Sequence, residues 1–510
     1  MKQIAYVAGV VALMLLSACG NVNESVEKMI PSDATGVVSI DVPAILKKAQ
    51  MSDDGRIVVP ADLSEVIDAN DAAPLCQALT DLPVLGINTE AKAYAYFSDG
   101  TFASALLVPL SDEAAARKTI AARVGAEFTE LDQLSCLANR DNFFAVHDGV
   151  LLAARVGKAA EAEKLAKAAR TLYDRKGHSI LEVDQAKDCL DAKGDINAWF
   201  KMAGLKALLK RNKSYREAAQ RLPLIEVFTE SDIDAVTCSI NLTEQDAQVT
   251  TKFLVADGSD YLKLMNTIIA QPDAAVLNVI PSSMDYVLAM SVKGGQLVQL
   301  PQIEQLLALF GKLPHIGRLD LKGMLSTIDG PVAVALAPDP YLQGEWNAVI
   351  AARSTQPGNA LQTISSFAQS MGQAPELYGN EYVYQYENKM IKVGMNGQVI
   401  YLTMLNYEAT ESNAAADDAL SSLFASTPLS LAVKTHVGQS QGRFTFGLTD
   451  HVNGHGTYVP AEGEASPTRA LLKTLCAIRP AAAYDDMIDP GEDSSDNDFL
   501  PEGVKLHPVR

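Results

Sequence analysis

Tryptophan occurs only twice in the 510-residue chain, at Trp199 and Trp346, and aromatic residues make up 6% of it. A sugar-binding platform of stacked indoles therefore has little material. Basic residues are outnumbered, 42 Lys and Arg against 62 Asp and Glu, for a net charge of -20. That balance excludes the broad basic face of a general nucleic-acid binder. Six cysteines are present and none forms a CxxC pair, so neither a zinc ribbon nor a thioredoxin-like redox pair is encoded. The fingerprints of common enzymes are missing too: GxSxG, HExxH, the phosphate loop GxxxxGK with Ser or Thr, and GxGxxG between a strand and a helix. No catalytic, cofactor-binding or metal-ligating residue is assigned. With 48% hydrophobic and 20% charged residues, the chain is too apolar to be disordered and too charged for a multi-span membrane protein.

What is there begins at the N-terminus. Lys2 supplies a positive start, and Ile4–Leu16 is apolar but too short to span a bilayer. Leu16-Ser17-Ala18-Cys19 resembles a bacterial lipobox, which implies removal of residues 1–18 and acylation of Cys19. Two or three acyl chains, at ~0.8 kcal/mol per buried CH2, anchor stably where one does not. Residues 19–28 then form a short tether. No aspartate follows Cys19, so the expected location is the bacterial outer membrane, facing the periplasm or the cell surface. The other cysteines, Cys76, Cys136, Cys189, Cys238 and Cys476, read as small buried apolar side chains, with one or two disulfides left open in an oxidising compartment.

The most informative feature is an internal repeat. Ile30–Val42 aligns with Ile280–Val292 at an offset of 250 residues, with five of thirteen positions identical. Both copies enter through Ile-Pro-Ser and continue as a β-rich run. Later elements recur in order. Two strands near Tyr94–Phe97 and Ala103–Leu110 precede a helix capped by Ser111, as Val332–Leu336 and Asn347–Ala352 precede a helix over Gly358–Ser370. Asp148-Gly149 and Asn396-Gly397 then mark hairpin turns. The hairpin Ala235–Leu242 with Gln248–Val255 corresponds to Arg443–Leu448 with Gly456–Val459, and each half closes on a helix, Asp260–Ile268 or Pro467–Ile478. The expected fold is α+β: two tandem related halves, each a mostly antiparallel or mixed sheet with helices packed on one face. The first repeat covers 29–275 with a helical insertion near 203–222, the second covers 276–480, and an acidic, solvated tail covers 481–510.

A lipobox followed by Met29-Ile30-Pro31-Ser32-Asp33-Ala34-Thr35-Gly36-Val37-Val38-Ser39-Ile40-Asp41-Val42 and the Lys-Lys helix Ile45–Ala49 resembles an uncharacterised family of Bacteroidetes lipoproteins, domain of unknown function 4836. The resemblance implies a location and a style of fold. It brings no assigned catalytic or binding residues.

Few residues stand out as carriers of chemistry. The insertion helix holds Lys206, Lys210, Arg211, Lys213 and Arg216 beside Leu205, Leu208 and Leu209. Such a helix either packs on the core with a charged outer face or offers a surface to anionic headgroups or an acidic partner. His451 and His455 stand four apart, but Asn453 with Gly454 and Gly456 reads as a hairpin turn, in which the imidazoles need not converge on a metal. The tail residues Asp485, Asp486, Asp489, Glu492, Asp493, Asp496 and Asp498 lack the spacing of a calcium loop. The functional expectation is a non-catalytic envelope lipoprotein that binds or scaffolds another envelope molecule, without cofactor and without nucleic acid. The competing expectation is an envelope hydrolase or small-ligand binder with its site in a groove between the halves.

Overall fold

The computed structural model describes residues 26–477, apart from 54–55, 70–73, 140, 158–159, 175–177, 212–231, 312–319, 340–344, 371–375, 379–380, 387–388, 406–412, 438–439, 462 and 465. The signal, Cys19 and the acidic tail lie outside the described residues.

Among the described residues, twenty strands, numbered in chain order, join one sheet. The first ten are β1 (Gly36–Ile40), β2 (Ala93–Phe97), β3 (Phe102–Pro109), β4 (Thr129–Leu131), β5 (Leu134–Asn139), β6 (Asn142–His147), β7 (Val150–Val156), β8 (Ile196–Lys201), β9 (Ile233–Leu242) and β10 (Ala247–Val255). The second ten are β11 (Tyr286–Lys293), β12 (Ile328–Pro338), β13 (Trp346–Ser354), β14 (Glu376–Tyr378), β15 (Glu381–Tyr386), β16 (Lys389–Asn396), β17 (Val399–Leu405), β18 (Leu429–Val437), β19 (Ser440–Leu448) and β20 (Asn453–Val459).

Hydrogen bonding orders the first ten as β4-β5-β6-β7-β3-β2-β1-β8-β9-β10. The second ten follow as β20-β19-β18-β11-β12-β13-β17-β16-β15-β14. Among the described residues every neighbouring pair is antiparallel, so the mixed sheet allowed for in the sequence is not seen there. The helix Val42–Lys48 after β1 leads into further helices, and the chain re-enters beside β1 in the opposite sense as β2.

The two runs meet at β10 and β20, paired from Ala247↔Tyr458 to Lys252↔Asn453. The helices that follow these strands cross the seam. Ala470, Leu472 and Cys476 of Pro467–Ala477 join the core around Leu63 and Leu79 of the first run. Tyr261, Met265 and Ile268 of Asp260–Ile268 pack with Leu297, Leu300 and Val452 of the second, and the Tyr261 hydroxyl donates to the His451 carbonyl at 2.7 Å. At this junction the runs share a strand ladder with helices laid over it.

Helices cover both faces of the first run, which corrects the one-faced expectation. On one face, here the A face, Val38, Ile40, Ala95 and Leu106 pack under Ile45, Leu46, Leu63, Leu79 and Ile120. On the opposite B face, Val37, Tyr94, Tyr96 and Trp199 pack under Leu165, Ala169, Ala186 and Leu190. The strands explain this, because apolar residues fill both parities of β2 and β3 and leave no polar face for water.

Local chemistry sets the ends of elements. Asp112, not Ser111, caps Glu113–Val124 by accepting from the Ala115 amide at 3.0 Å, and Gly125 ends that helix at φ 69°. Ser111 donates instead to the carbonyls of Gly86 and Ile87. Asp148 and Gly149 take φ of 48° and 70°, as a type I′ turn requires. In the second run Asn396 pairs with Val399, so the turn residues are Gly397 and Gln398. Gly397 at φ 59° gives the pattern of a II′ turn, one residue later than expected. Among the described residues no helix is long and apolar enough to cross a membrane.

Candidate functional site

The sequence singled out the basic stretch after β8. Its beginning is the helix Met202–Arg211, on which Lys206 is half-buried and Lys210 and Arg211 fall in the last turn. Lys213 and Arg216 lie outside the described residues. The hairpin turn near the two histidines lies earlier than expected, around Asp450 rather than at Asn453-Gly454. His451 stands in that turn with Nε2 3.1 Å from Asn266 Oδ1, and His455 lies on β20 opposite Gly447. Among the described residues no cluster of three or more His, Cys, Asp or Glu is placed to hold a metal.

Two features emerge that the sequence did not single out. The first is an open stretch of the A face. Strand register runs a row across four strands of the second run, Leu288–Val334–Ile350–Leu402. The row in the same position of the first run is Val38–Ala95–Leu106–Ala153. In the first run Ala95 and Leu106 are 1% and 2% exposed beneath helices, whereas Leu288 and Ile350 are each 48% exposed and Val334 39%. Tyr286, Leu336 and Trp346 extend the same face, with the Tyr286 and Trp346 ring centroids 6.1 Å apart. A contiguous exposed patch of this kind differs from the scattered single apolar residues of an ordinary surface, and such patches are the kind of surface on which proteins take partners. Its sequence reads as a strand buried on both faces, which is why alternation did not reveal it.

The second feature is a cavity of about 380 Å³ on the B face of the second run. Met284, Val287, Leu420 and Ala432 make its apolar floor, and Asp285, Asp417, Lys434 and Arg443 stand at its rim. The Asp417 carboxylate has two roles, accepting from the Leu420 amide at 3.0 Å as a helix cap and from the Arg443 guanidinium. The Lys434 ammonium donates to the Ser282 carbonyl. Pro281 begins a turn closed by the Met284 amide on the Pro281 carbonyl at 3.2 Å, and its backbone bridges to Asn413. Charged side chains over an apolar floor suit a ligand with an apolar body and a polarisable or polar edge.

A family model described as "Domain of unknown function (DUF4836)" matches residues 26–416. No curated protein matches the chain. Among solved structures, crystal form I of TP0453 matches 47% of this chain and 82% of its own at 10% identity and a TM-score of 0.28. Crystal form III of TP0453 matches 48% and 86%, at 10% identity and a TM-score of 0.29.

Proposed function

The chain belongs to the DUF4836 family, and from that premise we propose that it is a lipid-anchored module of the bacterial envelope that holds a partner protein on its open A face. Acylated Cys19 fastens it to the outer membrane, and two tandem copies of one α+β unit form its body. Support for the duplication comes from strand order, since adding ten to each strand number of one run reproduces the other. The isolated bridges agree, with Pro31↔Ser179 in one run and Pro281↔Asn413 in the other.

The observation that carries the binding role is the uncovered row Leu288–Val334–Ile350. In the first run the same row is covered by this chain's own helices, through Ile45, Leu46, Leu63 and Ile120. The fitting occupant is therefore an apolar helix face of another envelope protein. Each Leu, Ile or Val taken from water into such a contact contributes ~1.5–3 kcal/mol.

The test is photo-crosslinking in cells from an unnatural side chain at position 288 or 350, with position 118 on the exposed side of Glu113–Val124 as control. One discrete adduct from 288 and 350, absent at 118 and lost in a Val334→Asp background, is the expected result. An adduct only with a second copy of this chain, or none, would overturn the assignment. Cys19→Ala should release the protein from the membrane fraction. Its retention there would rule out the anchor.

A further inference from the structure

The B-face cavity lies on the opposite side of the sheet from the proposed partner surface and is independent of that reading. Its shape is explained by comparing matching positions of the two runs. β8 and β18 occupy the same place, each beside the central strand of its run: Val37 opposes Trp199, and Val287 opposes Ala432. The surrounding frame also matches. The Ile180 amide donates to the Ile30 carbonyl at 2.9 Å, and the Ala414 amide donates to the Ile280 carbonyl at 2.7 Å. Each bridge leads through a short 3-10 turn into a helix on the B face, Asp184–Leu190 or Asp418–Ser426.

Within this shared frame one side chain changes most. Trp199 is 1% exposed and belongs to the core that includes Ala34, Val37 and Ala186. The corresponding residues of the second run are Ala432, Met284, Val287 and Leu420, and these four line the cavity. An indole fills the first run where the second has a methyl group lining a cavity, while Met284 and Leu420, which stand where the first run has Ala34 and Ala186, take up part of the indole's volume. Two residues along the strand both runs keep a lysine. Lys201 Nζ stands 5.6 Å from the Trp199 ring centroid, within range of a cation–π contact. Lys434 holds the same place at the rim of the cavity.

We propose that this cavity binds an indole-sized aromatic ring, seated against Ala432 and Val287 with the Lys434 ammonium over its face, in the position that Trp199 holds in the first run. The ring can come from a free small molecule or from an aromatic side chain of a peptide. Aromaticity is the shared chemistry, because the cation is attracted to the ring face.

The experiment follows methyl resonances of Met284, Val287 and Ala432 in the folded protein as indole, the peptide Gly-Trp-Gly or the saturated cyclooctanol is added. Saturable shifts with indole, the peptide or both are expected, and clearly weaker ones with cyclooctanol. Indole alone would identify a small-molecule site, and the peptide alone a site for a partner's side chain. Ala432→Trp, which restores the first-run residue, should abolish the shifts. Ala432→Leu serves the same purpose should the larger residue prevent folding. Lys434→Met should weaken binding roughly threefold or more. Trp199→Gly should open a matching site and raise the binding stoichiometry from one ring to two. Absence of saturable shifts with both aromatic probes, equal binding of cyclooctanol, or indole binding unchanged in a folded Ala432 variant would overturn the proposal.

Discussion

The Arg469 guanidinium donates to the Asp62 carboxylate at 3.1 Å, although 407 residues separate the two in sequence. Lys473 joins the same carboxylate at 2.8 Å and reaches Glu464 at 2.8 Å. Arg469 also donates to the Ala49 carbonyl at 3.2 Å. These contacts hold the helix Pro467–Ala477 of the second run on the helices of the first.

This clamp should loosen in acid. Burial raises the Asp62 pKa, but Lys473 and Arg469 more than offset that and hold it below the ordinary carboxylate range. A group whose folded pKa is lowered stabilises fully above its unfolded value, about 3.9, and that contribution is lost as pH falls through the folded value. Hydrogen exchange of residues 467–477 should accelerate selectively below about pH 3.9. Asp62→Asn should show the faster exchange already at neutral pH, with little further change in acid. Identical profiles for the two proteins would show that the clamp is energetically silent.

Matching positions on the A face should respond oppositely to truncation. Leu106→Ala removes a side chain that is 2% exposed, and its cost should be ~2–5 kcal/mol. Ile350, its counterpart in the second run, is 48% exposed, and Ile350→Ala should cost under about 1 kcal/mol. Urea denaturation of the purified variants measures both. A large loss at Ile350 would mean that the chain covers this face itself.

Trp199 supplies bulk rather than a hydrogen bond. Among the described residues its indole nitrogen is buried without a partner. Trp199→Ala should therefore destabilise by ~3–5 kcal/mol. Trp199→Phe should retain most of the stability, because it removes a buried unsatisfied donor that itself costs about 1–3 kcal/mol. A Phe variant as unstable as the Ala variant in urea would contradict this account.

The buried thiols should be inert in the reduced, folded protein. Burial first, then the nearby carboxylates of Glu130 and Asp132, pushes Cys136 up to about 12. Burial, aided by Cys238, does the same to Cys189. The Cys76 thiol contacts the Cys476 carbonyl at 3.9 Å inside the core. At pH 8 iodoacetamide should leave these four unlabelled until denaturant is added, since the thiolate is the reacting species. Rapid labelling of any of them in the native protein would show that its core opens locally.

Many elements were legible because their signals are local. The closing helix Asp260–Ile268 has the bounds expected for it, and Asp148-Gly149 places the β6–β7 turn. The hairpin β4–β5 was missed because its turn is Asp132-Gln133, at φ of 50° and 61°, without the glycine that usually marks such a conformation. The hairpin β14–β15 was missed as well, and the helix Ala162–Tyr173 has no Ser, Thr, Asp or Asn cap to announce it.

The sequence alone determined many of the elements and the antiparallel bias, because caps, turns and apolar periodicity act over a few residues. Tertiary structure decided which faces are covered. Leu106 and Ile350 occupy the same place in similar strands, and only the helices laid across one of them distinguish buried core from exposed surface. It also decided that the two runs join through β10 and β20 with their closing helices crossed, and that Trp199 is core in one run where Ala432 lines a cavity in the other. Those outcomes depend on contacts between residues hundreds of positions apart, which no local pattern encodes.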